Sequence, residues 1–195
     1  MGKIKSAFEL AMEKTKGLGE LSRDELEELR KKERVAMGER LAQKYLEQTR
    51  YQSRELRADI DKCGEEARET ATQAFLRYMS QSVALENYQR PLQGILDISG
   101  DREIEQACRG IEELCHQYQR ARREMSSKFQ ERLVVVKMRK LDEVHISGSA
   151  IKMLDVESSP EWQEELGKLH AEFDRELEQR KQNLNIAVFG EASDG

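Results

Sequence analysis

Hydrophobic and small residues recur every eleven positions through the first half of the chain. Three series share this interval: Tyr45, Leu56, Ala67 and Tyr78; Thr49, Ile60 and Ala71; and Gln52, Cys63, Ala74 and Leu85. Eleven residues occupy three turns at about 3.67 residues per turn, so such a stripe runs almost straight along an α-helix. A capping-box pattern at Ser22–Glu25 favours a helix start there. Because the first strong breaker after it is Pro91, we predict one long helix over residues 22–90.

The interval between apolar residues changes to seven after Asp101. This seven-residue interval is the heptad spacing of a packed helical seam. It separates Ile104, Ile111, Tyr118 and Met125. We therefore predict a second long helix over residues 102–141. Because the connection before it is short, this helix should fold back antiparallel on the first.

The two ends of the chain carry shorter amphipathic segments. Residues 3–16 place apolar side chains on one helical face, and Ser159-Pro160 is typical of a helix start. We expect the last helix over residues 160–184, followed by a short apolar tail at 186–189. Residues 133–151 could form helix, strand or a switching segment.

These elements predict an all-α fold: an elongated, antiparallel long-helix hairpin or coiled-coil bundle. The expected organisation is an N-terminal amphipathic helix (1–19), a long helical hairpin (20–144), and a loop with the C-terminal helix (145–195).

Composition adds an expectation about partners. Charged residues make up 36% of the chain, against about 25% in an average globular protein. Narrow apolar seams on charged helices bury little surface alone, so we expect a second chain to complete the core, most simply in a homodimer. The predicted function is a non-enzymatic coiled-coil scaffold or adaptor. The residues expected to form its interaction seams are Leu56, Ile60, Ala67, Ala71, Ala74, Ile104, Ile111, Tyr118 and Met125.

Motifs of the common catalytic and nucleotide sites are missing from the sequence. It contains no phosphate-binding glycine loop and no Gly-x-Ser-x-Gly nucleophile turn, and we predict neither catalytic residues nor a cofactor. Its three cysteines have no scaffold-like spacing, which fits a reducing compartment. With no apolar run of membrane-span length, we expect a cytoplasmic protein without a membrane span.

A first alternative function is metal binding. Glu113 and His116 form a Glu-x-x-His pair, which di-iron helical bundles use twice together with two further glutamates. The chain has three histidines and only this one such pair. A homodimer would supply the second pair, so Glu113 and His116 remain the weak metal candidates.

A second alternative function is nucleic-acid association. Residues 119–140 hold eight basic and two acidic residues, whereas residues 155–182 hold nine acidic and four basic ones. The basic helix could bind phosphates, or it could be neutralised internally by the acidic C-terminal helix. Its candidate anion-binding residues are Arg120, Arg122, Arg123, Lys128, Arg132, Lys137, Arg139 and Lys140.

Two short stretches carry a family resemblance. The opening KIKSAFELAMEKT and the loop residues ISGSA at 146–150 resemble a family of small, helical bacterial proteins with no assigned function. The resemblance implies a bacterial origin and an uncharacterised function, and it implies no catalytic residue.

Overall fold

Six helices form the part of the chain that the structure describes. This computed structural model describes residues 23–143 and 159–190. Its helices are α1 (Arg23–Glu47), α2 (Ser53–Asp61), α3 (Glu65–Ser82), α4 (Gln89–Ile98), α5 (Arg102–Glu143) and α6 (Pro160–Phe189). The all-α prediction is confirmed, and no strand occurs within these residues. The predicted N-terminal helix and all but the last residue of the 145–159 loop lie outside the described residues.

The single helix predicted for residues 22–90 is wrong, because α1 to α4 occupy this region as separate helices. The amide of Gln52 donates to the Glu55 carboxylate at 3.0 Å, which caps the start of α2. Gly64 has a φ of 82°, a left-handed backbone conformation that glycine adopts without strain and that ends a helical run. Val83 is extended at the end of α3 and provides a third break.

Helices α1 and α3 pack side by side in the same direction. Arg34 pairs with Glu66 at 3.0 Å near the start of α3, and the rings of Tyr45 and Phe75 lie 6.0 Å apart further along. The second contact lies nearer the carboxyl end in both helices, so the two helices are parallel. Helix α2 returns the chain from the end of α1 to the start of α3. The eleven-residue series therefore crosses three helices. Its members Tyr45, Leu56 and Ala67 are all buried, and Tyr45 and Leu56 belong to one hydrophobic core.

Helix α4 closes this core and caps α1. Leu92 and Ile95 are buried on its inner face. The Arg90 guanidinium donates to the carbonyl oxygens of Tyr45, Gln48 and Tyr51 at 2.9, 3.0 and 2.6 Å. These carbonyls lie at and just beyond the end of α1, where backbone acceptors lack helical partners. The Arg90 side chain thus ties α4 to the end of α1.

Helices α5 and α6 form an antiparallel pair, which we call the arm. Tyr118 contacts Phe173 with ring centroids 5.6 Å apart, and Phe129 contacts Trp162 with centroids 5.8 Å apart. Residue numbers therefore increase along one helix where they decrease along the other. The predicted helix 102–141 is present as α5, but it packs mainly on α6, and the hairpin predicted with residues 22–90 is not formed.

The carboxyl end of α6 joins the arm to α3. The Ser80 hydroxyl donates to the Asn185 side-chain oxygen at 2.6 Å, and the Arg77 guanidinium lies 5.4 Å from the Phe189 ring centre. Helix α6 begins at Pro160, as predicted, but it continues through residues 186–189, which the sequence had suggested to be a tail.

Candidate interaction surfaces

The predicted interaction seams lie mostly inside the folded chain. Seven of their residues are at most 9% exposed: Leu56, Ile60, Ala67, Ala71, Ile104, Ile111 and Tyr118. Ala74 and Met125 are half-buried. Because the chain's own helices cover these side chains, they are core residues. A partner that leaves this fold intact therefore contacts other residues.

Large apolar side chains are exposed along one side of α1. Leu26, Leu29 and Met37 are 41%, 45% and 41% exposed. At about 100° per residue, they lie on one helical face together with Arg30 and Glu33. We call these five residues the outer face of α1.

The inner side of α1 is the one that packs on the core. Ala42 and Tyr45 are buried there, and Gly38 lies against the backbone of Ala71. Helix α1 is therefore apolar on two sides, and only the inner side is covered by described residues.

The first part of α1 extends past the start of α3. Arg34 pairs with Glu66, the second residue of α3, and Lys31 is the first residue of α1 that lines a groove together with α3 residues. The part of α1 before Lys31 therefore extends past α3, and at 1.5 Å per residue this overhang is roughly 12 Å long. Residues 24–33 are all exposed. Leu26 and Leu29 thus lie on a segment of α1 that is exposed on all sides with respect to the described residues.

Arg30 and Glu33 place one charge of each sign on the outer face. Neither takes part in an ion pair or side-chain hydrogen bond among residues 23–143 and 159–190, and both are exposed. The nearby pair of Glu28 and Lys32, 4.0 Å apart, lies off this face. The outer face therefore combines apolar surface with two charges that have no partner within the described fold.

The basic stretch on α5 is exposed on the arm. Arg120, Arg123, Lys128 and Arg132 are exposed, and Arg122 pairs with Glu86 at 2.6 Å. The side chains of Lys137, Arg139 and Lys140 lie outside the described part.

Acidic residues of α6 pair within their own helix. Glu164 and Glu165 bind Lys168 at 2.8 and 3.0 Å, and Glu178 binds Lys181 at 2.7 Å. Among the described residues, no ion pair joins these acids to the basic residues of α5, so the internal neutralisation considered from the sequence is not seen in this part of the chain.

The metal candidates Glu113 and His116 lie on the exposed side of α5. The His116 Nδ1 atom is 3.4 Å from the Tyr88 hydroxyl, and its Nε2 atom is 3.9 Å from a Glu112 oxygen. Within the described residues, no group of three potential metal ligands forms around them or elsewhere.

A polar cluster around Asp59 was not predicted from the sequence. Its carboxylate accepts hydrogen bonds from Lys44, Lys62 and Tyr51 at 2.8, 2.7 and 2.8 Å. Hydrogen bonds hold the pKa of Asp59 well below its usual range; the one from Lys44 has the largest effect, followed by those from Lys62 and Tyr51. A carboxylate that accepts from three hydrogen-bond donors is a poor proton acceptor. Because its donors come from different elements, the cluster links α1, the α1–α2 connection and α2. Nothing in the spacing of these residues reveals it, because the loop that brings them together was predicted as helix.

Two cysteines of the arm are shielded from solvent. Cys108 and Cys115 are buried free thiols. Burial raises the pKa of Cys108 to about 12 and that of Cys115 to about 11. The thiolate is the reactive form, so both residues act as packing side chains.

These features define an all-α helical bundle with an antiparallel arm. The chain belongs to a family of unknown function, DUF6657, whose model matches residues 58–185, from within α2 to within α6. This agrees with the resemblance to an uncharacterised family. No curated protein and no solved structure matches the chain. In the part that the structure describes, none of the helices combines the length and the apolar character needed to cross a membrane.

Proposed function

We propose that this protein is a non-enzymatic helical scaffold or adaptor that binds other proteins through exposed helix faces and self-associates as a homodimer. The observation that carries the proposal is the outer face of α1, where three large apolar side chains are more than 40% exposed on one helical stripe. Single exposed apolar residues are common on protein surfaces, but several large ones on one face of one helix favour an interaction site.

The energy available at this face suits a reversible contact. Covering the exposed part of each leucine or methionine side chain contributes roughly 1 kcal/mol. Association also costs translational and rotational freedom, so a face of this size supports weak, concentration-dependent binding. Such binding is typical of a scaffold that assembles when its local concentration rises.

Size-exclusion chromatography with light scattering tests the proposal. Absorbance at two ultraviolet wavelengths reports bound nucleic acid, and runs in low and high salt separate ionic from apolar association. We expect the mass to rise with concentration from 22.6 kDa towards twice that value, without nucleic acid. A monomeric mass at every concentration contradicts self-association.

The exposed cations of the arm favour nucleic-acid binding as a second candidate function. Arg120, Arg123, Lys128 and Arg132 are exposed and have no acidic partner within the described residues. A helix that neutralises phosphates releases counterions, so its affinity falls steeply as salt increases. We expect reversal of Arg120, Arg123 and Lys128 together to abolish binding of a fluorescent oligonucleotide at low salt. Binding that survives this reversal, or that does not weaken with salt, contradicts this candidate.

A further inference from the structure

We infer that the outer face of α1 binds the same face of a second copy in antiparallel orientation, about a two-fold axis that passes between Lys31 and Lys32. The inference rests on the proposed self-association and specifies its surface and geometry.

Charge complementarity on the face selects a second copy as the occupant. An antiparallel pair centred between Lys31 and Lys32 places Arg30 opposite Glu33 of the second copy. Two-fold symmetry repeats this pair, because in such an interface residue i contacts j and residue j contacts i. Both charges that lack a partner within the described fold are then satisfied.

The apolar residues of the face match in the same register. Leu26 lies opposite Met37 of the second copy, and the symmetry repeats this contact on the other side of the axis. Leu29 lies opposite Arg34 of the second copy, whose guanidinium already pairs with Glu66 of its own chain. One register therefore pairs Leu26 with Met37 and Arg30 with Glu33.

A parallel arrangement lacks this match. In a parallel pair in register, Glu33 meets Glu33 of the second copy within the contact stripe, and like charges placed so closely repel. The overhang also suits the antiparallel pairing, because residues 24–30 precede the part of α1 that lies beside α3 and are all exposed. A second helix can approach this segment without displacing any described part of the bundle.

Charge swaps in the full-length chain test this geometry. Arg30→Glu alone places glutamate against glutamate twice, and Glu33→Arg alone places arginine against arginine twice. We expect each change to raise the dimer dissociation constant about tenfold or more. The double variant Arg30→Glu/Glu33→Arg re-forms both pairs with reversed polarity, so its dissociation constant should return to within about threefold of the wild-type value.

Sedimentation equilibrium is the readout, with circular dichroism to show that each variant is folded. Both residues are exposed, so these changes should leave the fold intact. The matched control is Glu172→Arg with Arg175→Glu, a swap of the same residue types three positions apart at exposed positions on α6, which should not alter association.

The outcomes separate this inference from the proposed function. Weakening by both single changes and recovery in the double variant support the antiparallel face. A wild-type dimer that the single changes do not weaken, or that the double change does not restore, overturns the inference and leaves self-association standing. A wild-type chain that stays monomeric overturns both.

Discussion

Gly38 occupies the closest approach between α1 and α3. A Cβ atom at this position would collide with the carbonyl oxygen of Ala71 and lie 2.8 Å from the Cβ atom of Ala74. The nearest obstacle is backbone, which cannot rotate away as a flexible side chain can. The glycine that weakens α1 as an isolated helix therefore permits its packing in the folded chain.

We predict that Gly38→Ala destabilises the protein by about 2 kcal/mol or more, since overpacking against a rigid backbone costs about 1–3 kcal/mol and occasionally more. Urea denaturation followed by circular dichroism measures the change. The matched control is Gly167→Ala in α6, where an added Cβ meets nothing within 4 Å. That change should stabilise the protein by about 0.5–1 kcal/mol. Equal effects of the two substitutions would contradict the close contact.

The cluster around Asp59 makes stability depend on pH at the acid end. The folded-state pKa of Asp59 lies below its value in the unfolded chain, because Lys44, Lys62 and Tyr51 donate to the charged form. A carboxyl with a lowered folded pKa contributes stability above its unfolded pKa of about 3.9, and this contribution is lost as the pH falls towards the folded value. Asp59 therefore stabilises the fold at neutral pH and not in strong acid.

We predict that Asp59→Asn lowers the urea midpoint at neutral pH, and that this difference from the wild type shrinks as the pH falls from about 5 to about 2. Urea titrations of both proteins across this range provide the measurement. A constant difference between the two curves would show that the charge of Asp59 does not contribute.

The elements of the second half of the chain were predictable because their signals are local. The start of α6 follows from Ser159 and Pro160, and the Ser159 hydroxyl does accept from the Trp162 amide at 3.5 Å. The heptad seam from Ile104 marks α5 well, since one helix carries it without interruption.

The helix boundaries of the first half could not be predicted from its periodicity, because the eleven-residue interval continues across them. Gly64 has a positive φ just before α3, and Glu55 accepts from the Gln52 amide at the start of α2. Both mark helix boundaries, whereas Leu56 and Ala67 keep the eleven-residue spacing although they lie on different helices. The outer face of α1 could be predicted in part, because the spacing of Leu26, Leu29 and Met37 places them on one helical face. Which side α3 covers depends on the fold.

Arg90 holds the end of one element against another. It supplies donors to three carbonyl groups at the end of α1, and its guanidinium lies 3.9 Å from the centre of the Tyr45 ring. Removing it would take a charged donor from all three acceptors, although the Gln48 oxygen also accepts from the Tyr51 amide at 3.0 Å, and would expose the ring.

We predict that Arg90→Ala costs about 2–3 kcal/mol of unfolding free energy, because hydrogen bonds from a charged donor contribute about 1.5–3 kcal/mol. Arg90→Lys should recover only part of this, since an ammonium lacks the planar fork that reaches several carbonyls. Chemical denaturation provides the value, with Arg54→Ala on exposed α2 surface as the control that should change it by less than about 0.5 kcal/mol. A cost for Arg90→Ala no larger than that of Arg54→Ala would contradict the capping role.

The whole molecule combines a bundle of short helices with an arm anchored by α6. Two contacts hold the end of α6 against α3, one between Ser80 and Asn185 and one between Arg77 and Phe189. The buried residues of the arm and of the bundle form one hydrophobic core. Folding buries most of the seam residues that the sequence suggested for partners, while the outer face of α1 and the cations of α5 stay exposed at separate places. A scaffold with separate exposed faces can contact a second copy through one and another partner through the other.

Hydrogen–deuterium exchange at increasing protein concentration tests the central claim most directly, because it locates the association surface on the unmodified chain. We predict that amides of residues 24–37 in α1 become more protected as concentration rises, while those at residues 160–170 in α6 do not change. Exchange in α1 that is independent of concentration in a protein that dimerises, or new protection confined to another helix, would contradict the account.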